Sequence, residues 1–318
     1  MNRRTAFMLT SAAIIAIAGF PEIGFAPAWG QDVTPRVGPA SSSTSSTASI
    51  PDFSGIWGHP YITGGLEPPL AGPGPVTNRS RRNGVSNVYQ YVGDYSNPIL
   101  KPQAAEVVKK HGEISLTGVA YPTPGNQCWP EGVPYIFWNF GMQMIQQPDK
   151  ITILYSSDHE VRHVRMNQAH PAQVTASWYG DSIGHYEGDT LVIDTVGVKT
   201  GPFAMLDRYG TPYTQALHVV ERYRLLDYEA AKEAQERAGK ENAFVPGEWA
   251  PDPNYKGKGL QLQFTVEDIG VFTMPWSAIV TYRRPVLTEW PEEVCAENPH
   301  EYYSGKDTAV PHADKPDF

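Results

Sequence analysis

Leu260, Leu262, Phe264 and Val266 alternate with Gln261, Gln263 and Thr265. That period of two puts one apolar row and one polar row on opposite faces of a strand. The same rhythm runs through Leu217–Leu225 and through Trp276, Ala278, Val280 and Tyr282. Ile151–Tyr155 and Val161–Met166 are predicted strands joined by Ser156-Ser157-Asp158, a hairpin pattern. Ile183–Tyr186 and Thr190–Val196 are joined by Glu187-Gly188-Asp189, a stronger hairpin signal. Two helices interrupt this series. Lys101-Pro102 opens one that runs to Lys110, with Pro102 in the first turn and Lys109, Lys110 and His111 at the C-terminal end. Tyr228–Ala238, rich in Ala, Glu, Lys and Gln, is the other, stopped by Gly239. Residues 58–84 read as a long Gly- and Pro-rich loop. The expected fold is all-β, an antiparallel barrel or sandwich with two short peripheral helices.

The chain has 318 residues, of which 41% are hydrophobic, enough for a substantial core. Its 29 glycines and 29 prolines suit short strands and turns. A net charge of −9 argues against nucleic acid as a partner, because phosphate binding needs a basic surface. Arg3 and Arg4, the apolar run Ala6–Phe20 and the Ala26-Pro27-Ala28 cleavage site mark residues 1–28 as a secretory signal peptide, and the run is too short for a membrane span. The arginine pair also suggests the twin-arginine route, whose motif the next residues fit poorly. Residues 29–50, with their Ser/Thr run, are an expected disordered linker. A single domain then spans 51–298, followed by a flexible tail at 299–318. The expected location is periplasmic or secreted, with oligomeric state left open.

Cys128 and Cys295 are the two cysteines, 167 positions apart. In an exported chain a single pair is read as a disulfide, with two free thiols as the alternative. Such a bridge joins early and late sequence into one folded unit.

Gly55-Ile56-Trp57, after Asp52-Phe53, resembles the Gly-x-Trp opening of lipocalin-like barrels. The resemblance implies a barrel in which a late arginine, here Arg283 or Arg284, packs over Trp57. A second segment, Tyr179 to Thr195 with the run Gly-His-Tyr-Glu-Gly-Asp-Thr-Leu-Val-Ile-Asp-Thr, is similar to one in a large family of exported bacterial proteins. The Leu217–Tyr223, Thr273–Trp276 and Cys295–Asn298 segments match the same family. That similarity implies export and fold, and transfers no catalytic residues.

Standard zinc, nucleophile-elbow, phosphate-loop and dinucleotide motifs are missing, so no cofactor and no metal is expected. His159 and His163 are four apart, which on a strand separates them by about 13 Å, too far for one ion. His163, His170 and His185 are left as a set that only the fold can bring together. Parity is more informative. Arg162 shares its row with Val164 and Met166, Asp194 with Val192 and Val196, and Glu221 with Val219 and Tyr223, while Asp268 continues the row of Val266. Ionisable groups on apolar rows are costly unless paired, and a cavity can put them to use. The expectation is an enzyme of the lyase or isomerase type, or a hydrolase, moving protons on a hydrophobic or aromatic molecule inside the barrel. Arg162 would stabilise negative charge, Glu221 or Asp194 would be the base, and His185 at the rim would be the second proton-transfer group. The rival readings are a carrier of the same shape, in which these charges orient a ligand, and a structural envelope protein with no cavity, with Arg162 in a purely structural pair with a carboxylate and Asp268 only ending its strand.

Overall fold

The computed structural model describes residues 50–62, 65–119, 121–157, 160–244, 247–291 and 295. The expected signal peptide, nearly all of the linker, the 299–318 tail and His159 lie outside them.

Nine strands form one sheet in sequence order: β1 Gly55–Gly58, β2 Gly141–Gln146, β3 Lys150–Tyr155, β4 Val161–Met166, β5 Asp181–Glu187, β6 Thr190–Val196, β7 His218–Leu226, β8 Gly259–Glu267 and β9 Trp276–Tyr282. Each pairs antiparallel with the next except β4 and β5, which run parallel. That seam is short, with Arg165 opposite Ile183 and Met166 opposite Gly184. Residues 167–180 make the long connection that a parallel pair needs. At the other end the sheet meets itself. Gly58 N–H donates to Arg283 O at 2.7 Å, and Arg283 N–H returns to Gly58 O at 2.9 Å. The sheet is thus an all-β barrel, all but closed.

Period-two burial puts Met142 and Met144, Ile151 and Ile153, Val164 and Met166, Leu262 and Phe264 into one core. The Gly-x-Trp opening packs as the lipocalin resemblance implies. Arg284 lies 3.8 Å over the Trp57 ring and donates to Ile56 O and Ser54 O at 2.9 and 2.8 Å. Gly55 has φ +114, and a Cβ there would run into that guanidinium, so the motif needs glycine. Arg283 stacks instead on Tyr228, 4.8 Å away.

Helix α2, Tyr228–Ala238, starts where Asp227 accepts from Ala230 N–H at 2.9 Å. It lies on β8 and β9. Helix α1 runs Pro102–Leu116, six residues beyond the expected end. The basic trio Lys109–His111 is not a C-terminal turn. His111 belongs to the buried stripe Ala104, Val108, His111, Gly112, and the helix ends at Thr117 and Gly118, whose φ is +80. Cys128 and Cys295 form the disulfide, with Cα atoms 5.4 Å apart.

Candidate functional site

Of the four charged residues expected to share the barrel interior, two do. Arg162 on β4 is 1% exposed and Glu221 on β7 is fully buried. They form a two-pronged ion pair, Nη2–Oε1 at 2.6 Å and Nη1–Oε2 at 3.0 Å. The remaining guanidinium hydrogens go to Ser182 Oγ at 3.0–3.1 Å, Thr195 Oγ1 at 2.7 Å and Tyr155 Oη at 3.5 Å. Tyr223 O–H donates to Glu221 Oε2 at 2.9 Å. Burial opposes charge on Arg162, but Glu221 more than offsets it and holds the guanidinium pKa above its ordinary value. Burial, and then the Glu221 charge, raise the Tyr223 pKa, so its hydroxyl stays a donor. Every donor of Arg162 has an acceptor, so the pair is satisfied within the core and offers a ligand nothing.

Asp194 lies on the other face of the sheet, which corrects its expected place in the interior, and His185, expected at the rim, lies on that outer face too. On β6 the inward row is Leu191, Ile193 and Thr195, and Thr195 fills the slot expected for Asp194. Asp194 is 34% exposed, and both His170 Nε2 and His218 Nε2 lie 3.0 Å from its Oδ1. His218 pulls the Asp194 carboxyl below its ordinary pKa against a smaller effect of burial, and is itself raised. His170 Nδ1 reaches Asp181 at 3.4 Å, and Arg165 meets Asp181 at 2.9 Å. His185 is exposed and pairs with Glu187 at 3.1 Å. His170, His163 and His185 do not converge: His163 contacts Thr152 instead. Asp268 is buried but ties a turn, accepting from Thr214 N–H at 2.6 Å and Gly270 N–H at 2.8 Å. Among the described residues, no group of three or more His, Cys, Asp and Glu is arranged to hold a metal ion. No helix among them is long and apolar enough to cross a membrane.

The roomier space lies outside the sheet, beside α1. A cavity of about 410 Å³ opens there, against about 180 Å³ for the one between Glu267 and Pro275. Its floor is His111, 2% exposed, on the buried stripe of α1. Gly210 crosses this ring so closely that a Cβ would strike it, and its φ of +75 also calls for glycine. Burial pushes the His111 pKa down to about 4, so the imidazole is neutral at neutral pH. Among the described residues neither ring nitrogen has a hydrogen-bond partner, although the Tyr91 backbone is near enough to favour the charged form slightly. Tyr121 stacks on His111 with ring centroids 4.0 Å apart. Asn126 holds that wall by accepting from Thr123 N–H at 2.7 Å and donating to Tyr121 O at 2.9 Å. The Cys128–Cys295 bridge anchors the same loop.

Arg208 forms the opposite side. Asp207 folds its own turn by accepting from Tyr209 N–H at 2.8 Å and Thr211 N–H at 3.2 Å. Burial lifts the Asp207 pKa to about 6. With that carboxyl turned to the backbone, Arg208 reaches the cavity alone. Its guanidinium lies 4.2 Å over Trp138, and Nη1 donates to Tyr91 Oη at 3.4 Å. Sequence patterns do not disclose this site, because it is assembled from a helix face and three loops. The one available signal was a His-Gly pair on the apolar stripe of a helix that reads on past Lys110.

Comparison of the chain with protein-family models, with curated proteins and with solved structures gave no match to any of them.

Proposed function

We propose that this chain is an exported binding protein for a small hydrophobic or aromatic molecule, held in the cleft beside α1. The observation that carries this is the cleft itself: about 410 Å³, walled by Tyr91 and Tyr121, with His111 and Arg208 as polar groups. Small-molecule sites are of this kind, apolar walls with a few fixed polar groups in roughly 300–1,000 Å³. The Cys128–Cys295 disulfide supports an oxidising compartment.

Proton-transfer catalysis is the second reading, and His111 favours it. An imidazole held neutral in an apolar site keeps a lone pair for a proton. Here the proton-transfer role passes from His185, Asp194 and Glu221 to His111.

Thermal melting of the full chain against a panel of small aromatic molecules tests the binding reading. A ligand at 100 times its Kd adds about 2.7 kcal/mol of stability, and Tyr121→Ala should remove that gain. A gain that survives Tyr121→Ala overturns the cleft as the site. If the protein is a catalyst, bound ligands exchange C–H protons with deuterated water, and His111→Phe stops the exchange.

A further inference from the structure

Among the described residues Arg208 shares the lack of a carboxylate partner with Arg79, Arg82, Arg224, Arg283 and Arg284, but it is the arginine that lines the cleft. Arg81, Arg165 and Arg222 each meet a carboxylate, at 2.8, 2.9 and 2.7 Å. No carboxylate among the described residues comes within 4.0 Å of the Arg208 guanidinium. Among the described residues its contacts are the Trp138 ring and the Tyr91 hydroxyl, and its buried Nε has no acceptor there. A partly buried guanidinium with an unused N–H carries a desolvation cost that an incoming anion would relieve.

Two further features narrow the anion. The Tyr121 and Tyr91 rings offer flat apolar area, which suits a planar body. His111 lines the floor as a neutral ring with both nitrogens buried, so it adds no second positive charge. The site therefore holds one cation, within the field of the buried Glu131 carboxylate, one neutral imidazole and aromatic walls.

On the reading that this cleft is the binding site, we propose that its ligand is a planar aromatic oxyanion, such as an arene carboxylate. Its anionic group lies on the Arg208 fork and its ring lies against Tyr121. A planar guanidinium matches two oxygens on one centre better than a point charge does.

Two dyes sharing one ring system test this: 1-anilinonaphthalene-8-sulfonate and N-phenyl-1-naphthylamine, which lacks the sulfonate. Fluorescence titrations of the full chain give a Kd for each. The sulfonate dye should bind at least about tenfold more tightly than the neutral one, and Arg208→Gln should abolish that ratio by weakening the sulfonate dye alone. Tyr121→Ala should weaken both dyes alike. A wild-type ratio near one, or a ratio unchanged in Arg208→Gln while Tyr121→Ala still weakens both, overturns the anion and leaves the cleft standing. Failure of both dyes to bind, or binding indifferent to Tyr121→Ala, overturns the cleft and the anion with it. The wild-type ratio needs no variant, so the anion is judged even where Arg208→Gln does not fold. Far-UV circular dichroism of each variant confirms that it is folded.

Discussion

Arg162 and Glu221 sit on β4 and β7, with two strands between them, yet their side chains meet at 2.6 Å across the barrel interior. Adjacent strands are about 4.8 Å apart, so in a flat sheet these strands would be about 14 Å from each other. Curvature brings them together. The pair spans the parallel β4–β5 seam, which has only two residue pairs in register. Ser182 on β5 and Thr195 on β6 complete the clamp from inside. On the outer face Arg165, Asp181, His170 and Asp194 cross the same seam. Arg162, Glu221 and Asp194, which parity singled out, therefore brace a short junction of the barrel.

Removing one partner leaves a buried charge with no counter-ion. Arg162→Met or Glu221→Leu alone should cost about 3–5 kcal/mol. The double variant should be more stable than either single one, because no uncompensated charge remains. Urea unfolding of the three variants measures this. A double variant that loses the sum of the single losses refutes the coupling.

How much of this was legible in the sequence depends on how many apolar rows a strand carries. On β4 and β7 one row is apolar and the other polar, so Arg162 and Glu221 were placed inward correctly. On β6, Leu191 and Ile193 are buried on one face and Val192 on the other. Parity alone cannot choose between two apolar rows, and Asp194 was assigned to the wrong face. β2 escaped notice because Gly-Met-Gln-Met-Ile-Gln has almost no β-branched residue, although Met142 and Met144 do alternate inward. The overlong α1 has a similar cause. Lys109, Lys110 and His111 read as a C-terminal turn, but the helix continues through Gly112, where Val92 packs 3.2 Å from where a Cβ would lie.

The disulfide closes a loop of 167 residues. The chain-entropy model assigns about 5 kcal/mol to a loop of that length. Cys128→Ser with Cys295→Ser should lower stability by most of this amount, read as a fall in the urea midpoint with a steeper slope, because the uncrosslinked denatured chain exposes more surface. An unchanged midpoint would show that the bridge constrains nothing the folded core does not already hold.

His218 and Asp194 stabilise the outer face only while one is protonated and the other is not. The folded pKa of His218 is raised, so its contribution is full below its ordinary value near 6.5 and is lost as pH rises through the raised value. The folded pKa of Asp194 is lowered, so its contribution is full above its ordinary value near 3.8 and is lost as pH falls through the lowered value. The contact should thus be strongest between these limits, with a raised NMR titration midpoint for His218. Asp194→Asn should bring that midpoint down. A midpoint that stays put refutes the pairing.

Gly210 decides the shape of the cleft floor. Its φ of +75 strains any side chain, and a Cβ would press on the His111 ring. The strain alone costs about 1 kcal/mol or more, and the clash displaces His111 from Tyr121. Gly210→Ala should therefore lower stability and weaken ligand binding together. Gly84 has a positive φ of +77 but nothing within 4 Å of a Cβ. Gly84→Ala should pay only the backbone term and leave binding unchanged. Melting temperatures and dye titrations of the two variants separate the effects: equal losses of binding would show that backbone strain, rather than contact with His111, governs the site.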